Sequence, residues 1–504
     1  MFIRTPGKVF LIGAGPGDPG LITVRGAELL GRADVVLYDG LANEALLAYS
    51  KSDAEKICVG KHGHGGSWSQ REIDDCCVAA ATSGKTVARL KGGDTAIFAR
   101  TAEEVDRLIE EKLSYEIVPG ITAALAAGPY AGIPITHRDW SSAVALITGQ
   151  MQPADGSQEA EETLDWPALA RFPGTLVLYM GAKTAGYWSS KLIEAGKSAS
   201  TPVALIRRCS WPDQETIHCD LATVASTLAA TPHFTPPIIS VVGEVIRNSK
   251  SMDWFSIRPW FGKRVWVTSP IATGKLLARK LEEQGAQSLV EPVMTIKPPD
   301  DWKPVDQMIL EAGNYDWIVF SSVYGVDGFF ERLKTLGKDG RLLGNAKLAA
   351  VGSATANAIA MHSMFCDMVP QTQGAEGIAN LFEHNCKGKR FLFVRNLNGE
   401  TVAMDRLRAS SAEVQSLPVY QQVLQDSLPL SVRKLLELNK LDAVTATSKN
   451  IAKQAMQLLG PSRLKVTWLS LSNAISELLR EHGCESVLTA SEPSFEMLAS
   501  LRNP

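Results

Sequence analysis

Short apolar runs alternate with longer amphipathic stretches along the whole chain, a pattern typical of α/β proteins. In the first half, the apolar runs predict buried strands of a largely parallel sheet at 9–12, 35–38, 86–90 and 115–118. A second set of strands is predicted at 143–147, 175–179, 203–206 and 238–242. Helices are expected between strands, for example at 23–30, 70–81 and 102–111. Pro119-Gly120 separates the two sets, which predicts two α/β lobes, about 7–120 and 121–250.

The second half repeats the alternation after a polar connection at 249–261. Such a connection between two strand starts predicts a domain boundary near residue 258, with a first domain at 7–250 and a second at 260–504. Strands are predicted at 265–268, 317–320, 348–351, 391–394, 443–446 and 466–469. Helices are predicted at 274–284, 354–361, 377–383 and 449–458.

Composition narrows the class of protein. The 504 residues are 21% charged with a formal net charge of −3, so the basic footprint of a nucleic-acid binder is missing. No apolar run approaches the roughly 20 residues that span a bilayer. The eight cysteines include no CxxC pair, and the first residues do not read as a signal peptide. We expect a cytoplasmic protein with reduced thiols, no metal, and no nucleic-acid or membrane partner.

Gly13–Gly20 follows the first strand and contains GxGxxG at Gly15 to Gly20. This pattern allows a nicotinamide-dinucleotide site. Pro16 and Pro19 weaken that interpretation because they remove backbone donors that a pyrophosphate cradle needs. A turn without a ligand also remains open at this point.

Further turn motifs follow later strands, and each alone is weak. Arg89–Asp94 contains paired glycines and an aspartate that could bind a ligand or cap a helix. The other turn motifs lie at 118–123, 132–138 and 179–181.

In order, these segments resemble the tetrapyrrole methylase family, specifically its uroporphyrinogen-III C-methyltransferases, over about residues 7–247. The segments are GPGDPGLIT, YDGL, VGKHG, RLKGGD, VPGITA, GIPITHR, TG and YMG. The resemblance implies S-adenosylmethionine bound between the two lobes. It places the methyl-donor site at Pro16, Gly92, Gly93, Asp94, Ile97, Thr122, Ala123 and Met180, and an acid/base pair at Asp39 and Lys61.

The implied chemistry suits these residue types. An enamine-like pyrrole carbon attacks the sulfonium methyl, and a carboxylate such as Asp39 can accept the ring proton that leaves, while Lys61 could donate a proton. The substrate carries several carboxylates, for which the candidate anchors are Arg25, Lys61, His62, Arg89, Lys91, His137 and Arg138. Solvated surface charge is the alternative for these cations.

Three segments depart from the family pattern. After GGD the family has proline, an aromatic residue and glycines, whereas this chain has residues 95–102 as TAIFARTA. The usual TGH is Thr148-Gly149-Gln150, and Cys209-Ser210 stands where a glycine is usual. These changes put substrate fit and rate in doubt more than the fold.

The second half resembles uroporphyrinogen-III synthases over about 262–500. Segments 265–270, 316–322, 350–355, 417–420 and 446–448 carry the match. The resemblance implies two α/β lobes, 262–294 plus 416–504 and 298–415, and closure of hydroxymethylbilane with inversion of the last pyrrole. Tyr420 is the candidate that assists loss of the hydroxyl. Candidate carboxylate-binding residues are Ser321, Ser322, Ser353, Thr355, Thr447 and Ser448, and a helix N-cap is the alternative role for each.

Together the halves imply a bifunctional enzyme that makes precorrin-2 from hydroxymethylbilane for sirohaem or corrinoid synthesis. The resemblance also implies small-molecule tetrapyrrole substrates and a homodimer formed through the first half. Two alternatives remain for the first half: methylation of a different tetrapyrrole, or non-catalytic tetrapyrrole carriage.

Overall fold

The computed structural model describes residues 6–60, 68–149, 164–372 and 374–502. The chain folds as two compact units. Unit 1 comprises Met1–Lys263, Leu281–Gln287 and Arg502–Pro504, and unit 2 comprises Arg264–Lys280 and Ser288–Leu501. The chain first leaves unit 1 at Lys263, close to the boundary predicted near 258.

The first lobe of unit 1 is a parallel five-stranded sheet in the order β3-β2-β4-β1-β5. Its strands are β1 (Lys8–Gly13), β2 (Val35–Tyr38), β3 (Glu55–Cys58), β4 (Val87–Lys91) and β5 (Ser114–Val118). Its helices are α1 (Val24–Leu30), α2 (Gln70–Thr82) and α3 (Thr101–Glu110). Alternate residues of β1 enter two separate cores, Phe10 on one face and Leu11 on the other, because successive strand residues point to opposite faces.

The second lobe of unit 1 is a mixed sheet in the order β6-β7-β10-β8-β9. Its strands are β6 (Val144–Thr148), β7 (Thr175–Tyr179), β8 (Pro202–Arg207), β9 (Glu215–Asp220) and β10 (Ile238–Val242). Strand β10 runs antiparallel to both of its neighbours. The helices are α4 (Ala123–Tyr130), α5 (Trp166–Arg171), α6 (Ala185–Glu194) and α7 (Val224–Ala230).

The second half of the chain also forms two five-stranded sheets, β12-β11-β18-β19-β20 and β13-β17-β16-β14-β15. The strands are β11 (Arg264–Val267), β12 (Gln287–Val290), β13 (Met294–Lys297), β14 (Trp317–Phe320), β15 (Lys347–Ala350), β16 (Arg390–Asn396), β17 (Glu413–Leu424), β18 (Ala443–Ala446), β19 (Thr467–Ser470) and β20 (Val487–Thr489). The helices are α8 (Ile271–Glu283), α9 (Lys303–Leu310), α10 (Val323–Thr335), α11 (Ser353–Met361), α12 (Ala375–Phe382), α13 (Val402–Ala409), α14 (Leu430–Glu437), α15 (Lys449–Leu459), α16 (Asn473–Glu481) and α17 (Phe495–Ala499). The predicted α/β class with parallel-rich sheets is confirmed.

The connection between the two lobes of unit 2 is an antiparallel pair, β13 with β17. Strand β17 stays in the second sheet as far as Leu424, beyond residue 416, where the chain was expected to return to the first lobe. The long strand reaches both partners because its second half pairs with β13 while its first half pairs with β16. Among the described residues, no helix is long and apolar enough to cross a membrane.

Candidate functional sites

Three glycine-containing turns of unit 1 meet at the carboxyl ends of β1, β4 and β5. Gly15 and Gly93 form an antiparallel bridge in which each backbone N–H donates to the other residue's carbonyl, at 3.0 and 2.8 Å. A side chain at Gly120 would begin 2.3 Å from the Gly93 carbonyl oxygen, so the third turn also needs glycine. Parallel sheets bind ligands at such strand ends.

At Gly93 the cluster of turns leaves free space next to the backbone, which is called the opening of unit 1. Its φ is +74° and an added Cβ would meet no atom within 4 Å, so a ligand can approach the backbone there. Asp94 lies beside it but is nearly buried: its carboxylate accepts the Ala96 N–H at 2.7 Å and the Gly120 N–H at 2.8 Å. Asp94 therefore joins two of the turns together.

Residues from the second lobe complete the opening. The Thr122 hydroxyl bonds with the Tyr179 hydroxyl, which also accepts the Ala124 N–H at 2.9 Å. Thr122 and Ala123 thereby lie next to Met180, which is 48% exposed and follows Tyr179 directly. Phe98, one residue after the half-buried Ile97, packs its ring 5.1 Å from that of Tyr179. An open glycine backbone beside exposed apolar side chains fits a methyl donor that has an apolar adenosine portion.

The turn containing Pro16 is held by the β8–β9 turn. The Pro16 carbonyl accepts the Trp211 Nε1–H at 3.0 Å, and the Asp18 N–H donates to Ser210 Oγ at 3.0 Å. Tyr130 donates to the Asp18 carboxylate at 2.7 Å. The dinucleotide alternative is disfavoured because this turn binds other turns of the protein.

Residues in two of the segments that depart from the family pattern have left-handed backbone. Phe98, Arg100 and Ser210 have φ values of 53°, 55° and 64°. This left-handed region costs a residue with a side chain about 1 kcal/mol or more and is the usual place for glycine. Gln150, the third departure, lies outside the described residues.

Asp39 follows β2 and lies at the edge of the same opening. Its carboxylate accepts Arg89 Nη2 at 2.6 Å and the Gly92 N–H at 3.2 Å. Its side chain is 28% exposed, whereas that of Arg89 is 4% exposed. Arg89 thus holds Asp39 from beneath while the carboxylate still reaches solvent. Lys61 and His62 lie outside the described residues, so the predicted partnership of Asp39 with Lys61 stays a prediction.

A buried carboxylate, Glu104 of α3, supports this arrangement from below. It accepts Arg89 Nε at 3.3 Å and Lys91 Nζ at 2.5 Å, and the side chains of Lys91 and Glu104 are only 3% and 5% exposed. Burial lowers the pKa of Lys91 because a low-dielectric surrounding disfavours the charged form. The ammonium group of Lys91 is thus neutralised by Glu104 inside the protein. Substrate binding by Lys91 stays a prediction, and the geometry gives it no support.

The remaining predicted anchors of unit 1 lie nearer the surface. Arg25 pairs with Glu116 at 2.8 Å and Glu28 at 3.0 Å. His137 stacks on Trp140 with ring centroids 4.2 Å apart, and Arg138 beside it is exposed. Their role in substrate binding stays a prediction, and the surface pairing of Arg25 favours the solvated alternative for that residue.

In unit 2, Tyr420 projects from β17 toward the start of α10. Its hydroxyl lies 2.8 Å from Ser322 Oγ, and its ring centroid lies 5.9 Å from that of Tyr324. Burial raises the pKa of Tyr420. Across from it, Tyr324 reaches Thr273 of the first lobe, with the two hydroxyl oxygens 3.4 Å apart. The predicted tyrosine therefore lies between hydroxyl groups and remains protonated at neutral pH.

The predicted hydroxyl residues have mixed roles in the structure. Ser322 and Ser448 are helix N-caps that accept the N–H of Gly325 at 3.0 Å and of Ile451 at 3.2 Å. Ser321 donates to the Val394 carbonyl, and Thr447 bonds to Ser269. Ser353 begins α11, and Thr355 is buried within that helix. N-capping accounts for two of the six, and carboxylate binding stays a prediction for all six.

The structure brings to these sites several residues that were not predicted from the sequence. They are Glu104, Tyr179, Trp211, Tyr324 and Arg395. A signal existed for Tyr179, because it is the tyrosine of the YMG motif. None was visible for Glu104, because adjacent acidic residues in an amphipathic helix usually indicate a solvated face.

The two sites are typical of an enzyme with two activities. The site of unit 1 is formed by glycine turns, and the site of unit 2 is formed by hydroxyl side chains at strand ends. The family model "Tetrapyrrole (Corrin/Porphyrin) Methylases" matches residues 8–225, and "Uroporphyrinogen-III synthase HemD" matches residues 275–500. The chain therefore belongs to the tetrapyrrole methylase family in its first part and to the uroporphyrinogen-III synthase family in its second.

Relatives agree with both assignments. Over 98% of this chain and 97% of its own length, "Porphyrin biosynthesis protein HemD" of Ruminiclostridium josui is 31% identical. "Uroporphyrinogen-III C-methyltransferase" of Bacillus subtilis is 40% identical over 69% of this chain and 70% of its own length. An "S-adenosyl-L-methionine-dependent uroporphyrinogen III methyltransferase" of Methanosarcina barkeri is 44% identical over 48% of this chain and 92% of its own length. The chain is a bifunctional tetrapyrrole biosynthesis enzyme, with a C-methyltransferase part and a synthase part.

Proposed function

We propose that unit 2 converts hydroxymethylbilane into uroporphyrinogen III and that unit 1 methylates this product twice to give precorrin-2, for sirohaem or corrinoid synthesis. The observation that carries the proposal is the presence of both families on one chain, because the product of the second is the substrate of the first. No separate carrier is then needed between the two reactions.

In unit 1, the chain would bind and orient both reactants. Bound S-adenosylmethionine supplies an electrophilic methyl group on its sulfonium sulfur. Gly92 and Gly93 would let it approach the backbone, and Thr122, Ala123 and Met180 would border it on the other side. Asp39, held by Arg89 and the Gly92 N–H, would accept the proton that the methylated pyrrole carbon must release.

In unit 2, Tyr420 would donate a hydrogen bond to the hydroxyl that leaves hydroxymethylbilane. The C–O bond breaks, its electron pair goes to the oxygen, and the pyrrole system becomes the electrophile for ring closure. Burial raises the pKa of Tyr420, which keeps the phenol as a donor. Ser322, 2.8 Å away, orients that phenol, and positioning does most of the catalytic work.

The test is an anaerobic incubation of the full chain with hydroxymethylbilane and S-adenosylmethionine, followed by mass and isomer analysis. We expect a dimethylated type-III product. Asp39→Asn should lower methylation about 100-fold, the size of a lost acid/base catalyst, and leave type-III formation unchanged. Tyr420→Phe should lower type-III formation and leave methylation of supplied uroporphyrinogen III unchanged, so each variant is the control for the other.

Two other outcomes would revise the proposal. Formation of the type-I isomer alone, which arises without an enzyme, would contradict the synthase function. Type-III product without methylation would favour a different methyl acceptor or the carrier alternative for unit 1. The open backbone at Gly93 supports a donor site in unit 1 and therefore methylation.

A further inference from the structure

Arg395 is a buried cation that has no acidic partner in the part of the chain that the structure describes. It lies near the end of β16, is 7% exposed, and makes one hydrogen bond there, from Nη2 to the Gly399 carbonyl. None of the ion pairs of the described residues includes it. Arginines this buried normally pair with a carboxylate, because an isolated charge is costly to remove from water.

Nearby charges do not compensate Arg395. Asp405 is close enough to interact with it, but the Asp405 carboxylate already accepts Arg408 Nη1 at 3.0 Å. Burial lowers the pKa of Arg395, which shows that its surroundings disfavour the charge. Arg395 is nevertheless not completely sealed from solvent, because 7% of the residue is exposed.

The position of Arg395 in the sheet brings it to the synthase site. The β16–β17 ladder shifts register between Arg395 and Asn396, and Asn396 then lies opposite Tyr420. On the other side of β16, the Ser321 N–H and hydroxyl both donate to the Val394 carbonyl. Arg395 thus lies at the same sheet edge as Tyr420 and the Ser321-Ser322 turn, but on the opposite face of the sheet from Val394, because successive strand residues alternate.

A purely structural role does not explain a charged residue here. The bond to Gly399 closes the turn after β16 but uses one of the five N–H donors of a guanidinium. A neutral amide side chain could make the same bond. The planar fork of the remaining donors matches a carboxylate, the group that the substrate carries on every pyrrole.

We propose that Arg395 is a substrate anchor of unit 2, binding an acetate or propionate carboxylate of the linear tetrapyrrole and fixing that pyrrole beside Tyr420. This inference rests on the synthase function proposed above and adds a residue that the family resemblance did not point to. The carboxylate of the bound substrate supplies the missing counter-charge.

The test is steady-state synthase kinetics of the full chain with hydroxymethylbilane. Arg395→Gln should raise KM about tenfold or more, the scale of a lost charge-assisted hydrogen bond, and change kcat less. Arg395→Lys should recover part of the loss because it keeps the charge without the fork. Arg341→Gln, at an arginine of unit 2 that is 92% exposed and pairs with Asp339 at the surface, should leave KM unchanged.

Thermal unfolding separates this role from a structural one. Because the charge is uncompensated, Arg395→Gln should not lower the unfolding temperature of unit 2. An unchanged KM, or an equal rise in KM for Arg341→Gln, would overturn the proposal. If wild-type protein makes no type-III isomer, the synthase function itself fails, and the two failures are thus distinguishable.

Discussion

Arg89 and Lys91 in unit 1 are as buried as Arg395 in unit 2, at 3%, 3% and 7% exposed, but their surroundings differ. Asp39 and Glu104 neutralise the first two within the protein. Arg395 has no such acid among the described residues. The first pair of cations supports Asp39, the proposed proton acceptor, whereas the single cation of unit 2 is the proposed substrate anchor.

The two sites also differ in what forms their walls. In unit 1, glycine turns and a left-handed backbone make the opening, and the charges lie beneath it. In unit 2, side chains that include Tyr420, Ser322 and Arg395 line the sheet edge. Backbone at glycine lets a ligand approach closely, whereas hydroxyl and guanidinium side chains can donate hydrogen bonds to carboxylates. The acids around a buried cation, rather than its burial alone, therefore indicate whether it can serve a ligand.

The largest expected effect comes from removing one acid of the buried charge cluster that Glu104 forms with Arg89 and Lys91. Glu104→Gln removes the carboxylate that Arg89 and Lys91 share, which leaves two buried cations with Asp39 alone. Removing one partner of a buried ion pair typically costs about 3–5 kcal/mol. We expect a loss of that size in the free energy of unfolding of unit 1, measured by urea denaturation.

Glu110→Gln is the matched control, because Glu110 ends the same helix and pairs with Arg107 at the surface, with 67% of its side chain exposed. Surface pairs contribute about 0–1 kcal/mol, so this variant should change stability little. Equal losses for both variants would show that Glu104 does not compensate buried charge.

A second substitution, with a smaller expected effect, tests whether the methyl donor binds against the backbone at Gly93. Gly93→Ala places a methyl group where the structure has open space. We expect binding of S-adenosylhomocysteine to weaken about tenfold, or about 1.4 kcal/mol, in calorimetric titration. Gly262→Ala is the control, because Gly262 has the same φ of +74° and equally open surroundings.

Both alanine variants should lose about 1 kcal/mol of stability, the cost of a side chain in left-handed backbone. Only the Gly93 variant should bind the ligand more weakly. Wild-type affinity in the Gly93 variant would place the donor elsewhere, and weakened binding in both would indicate a general loss of stability.

The sequence predicted the regular elements better than it predicted the charges. The continuous apolar run 35–38 forms β2 as predicted. A strand that is buried on both faces is apolar at every position, so it can be recognised from the sequence. Strand β17 was missed because no continuous apolar run marks it, Pro418 lies within it, and its pairing changes partner midway. Glu104 and Arg395 could not be assigned because their surroundings come from elements distant in sequence. Glu104 lies in an acidic stretch that reads as solvated, and Arg395 follows the predicted buried strand 391–394, where the sequence does not show whether an acid faces it.

The smallest effect concerns a departure from the family pattern in unit 1. Arg100 caps α3 with φ 55°, a conformation that glycine adopts without the steric cost that a Cβ imposes. Its surface pair with Glu103, with side chains 61% and 53% exposed, contributes little. Arg100→Gly should therefore stabilise unit 1 by about 0.5–1 kcal/mol, measured by thermal or urea unfolding. Arg100→Ala should bring no gain, since it keeps the Cβ; a gain in both variants would mean that charge, rather than backbone strain, is relieved.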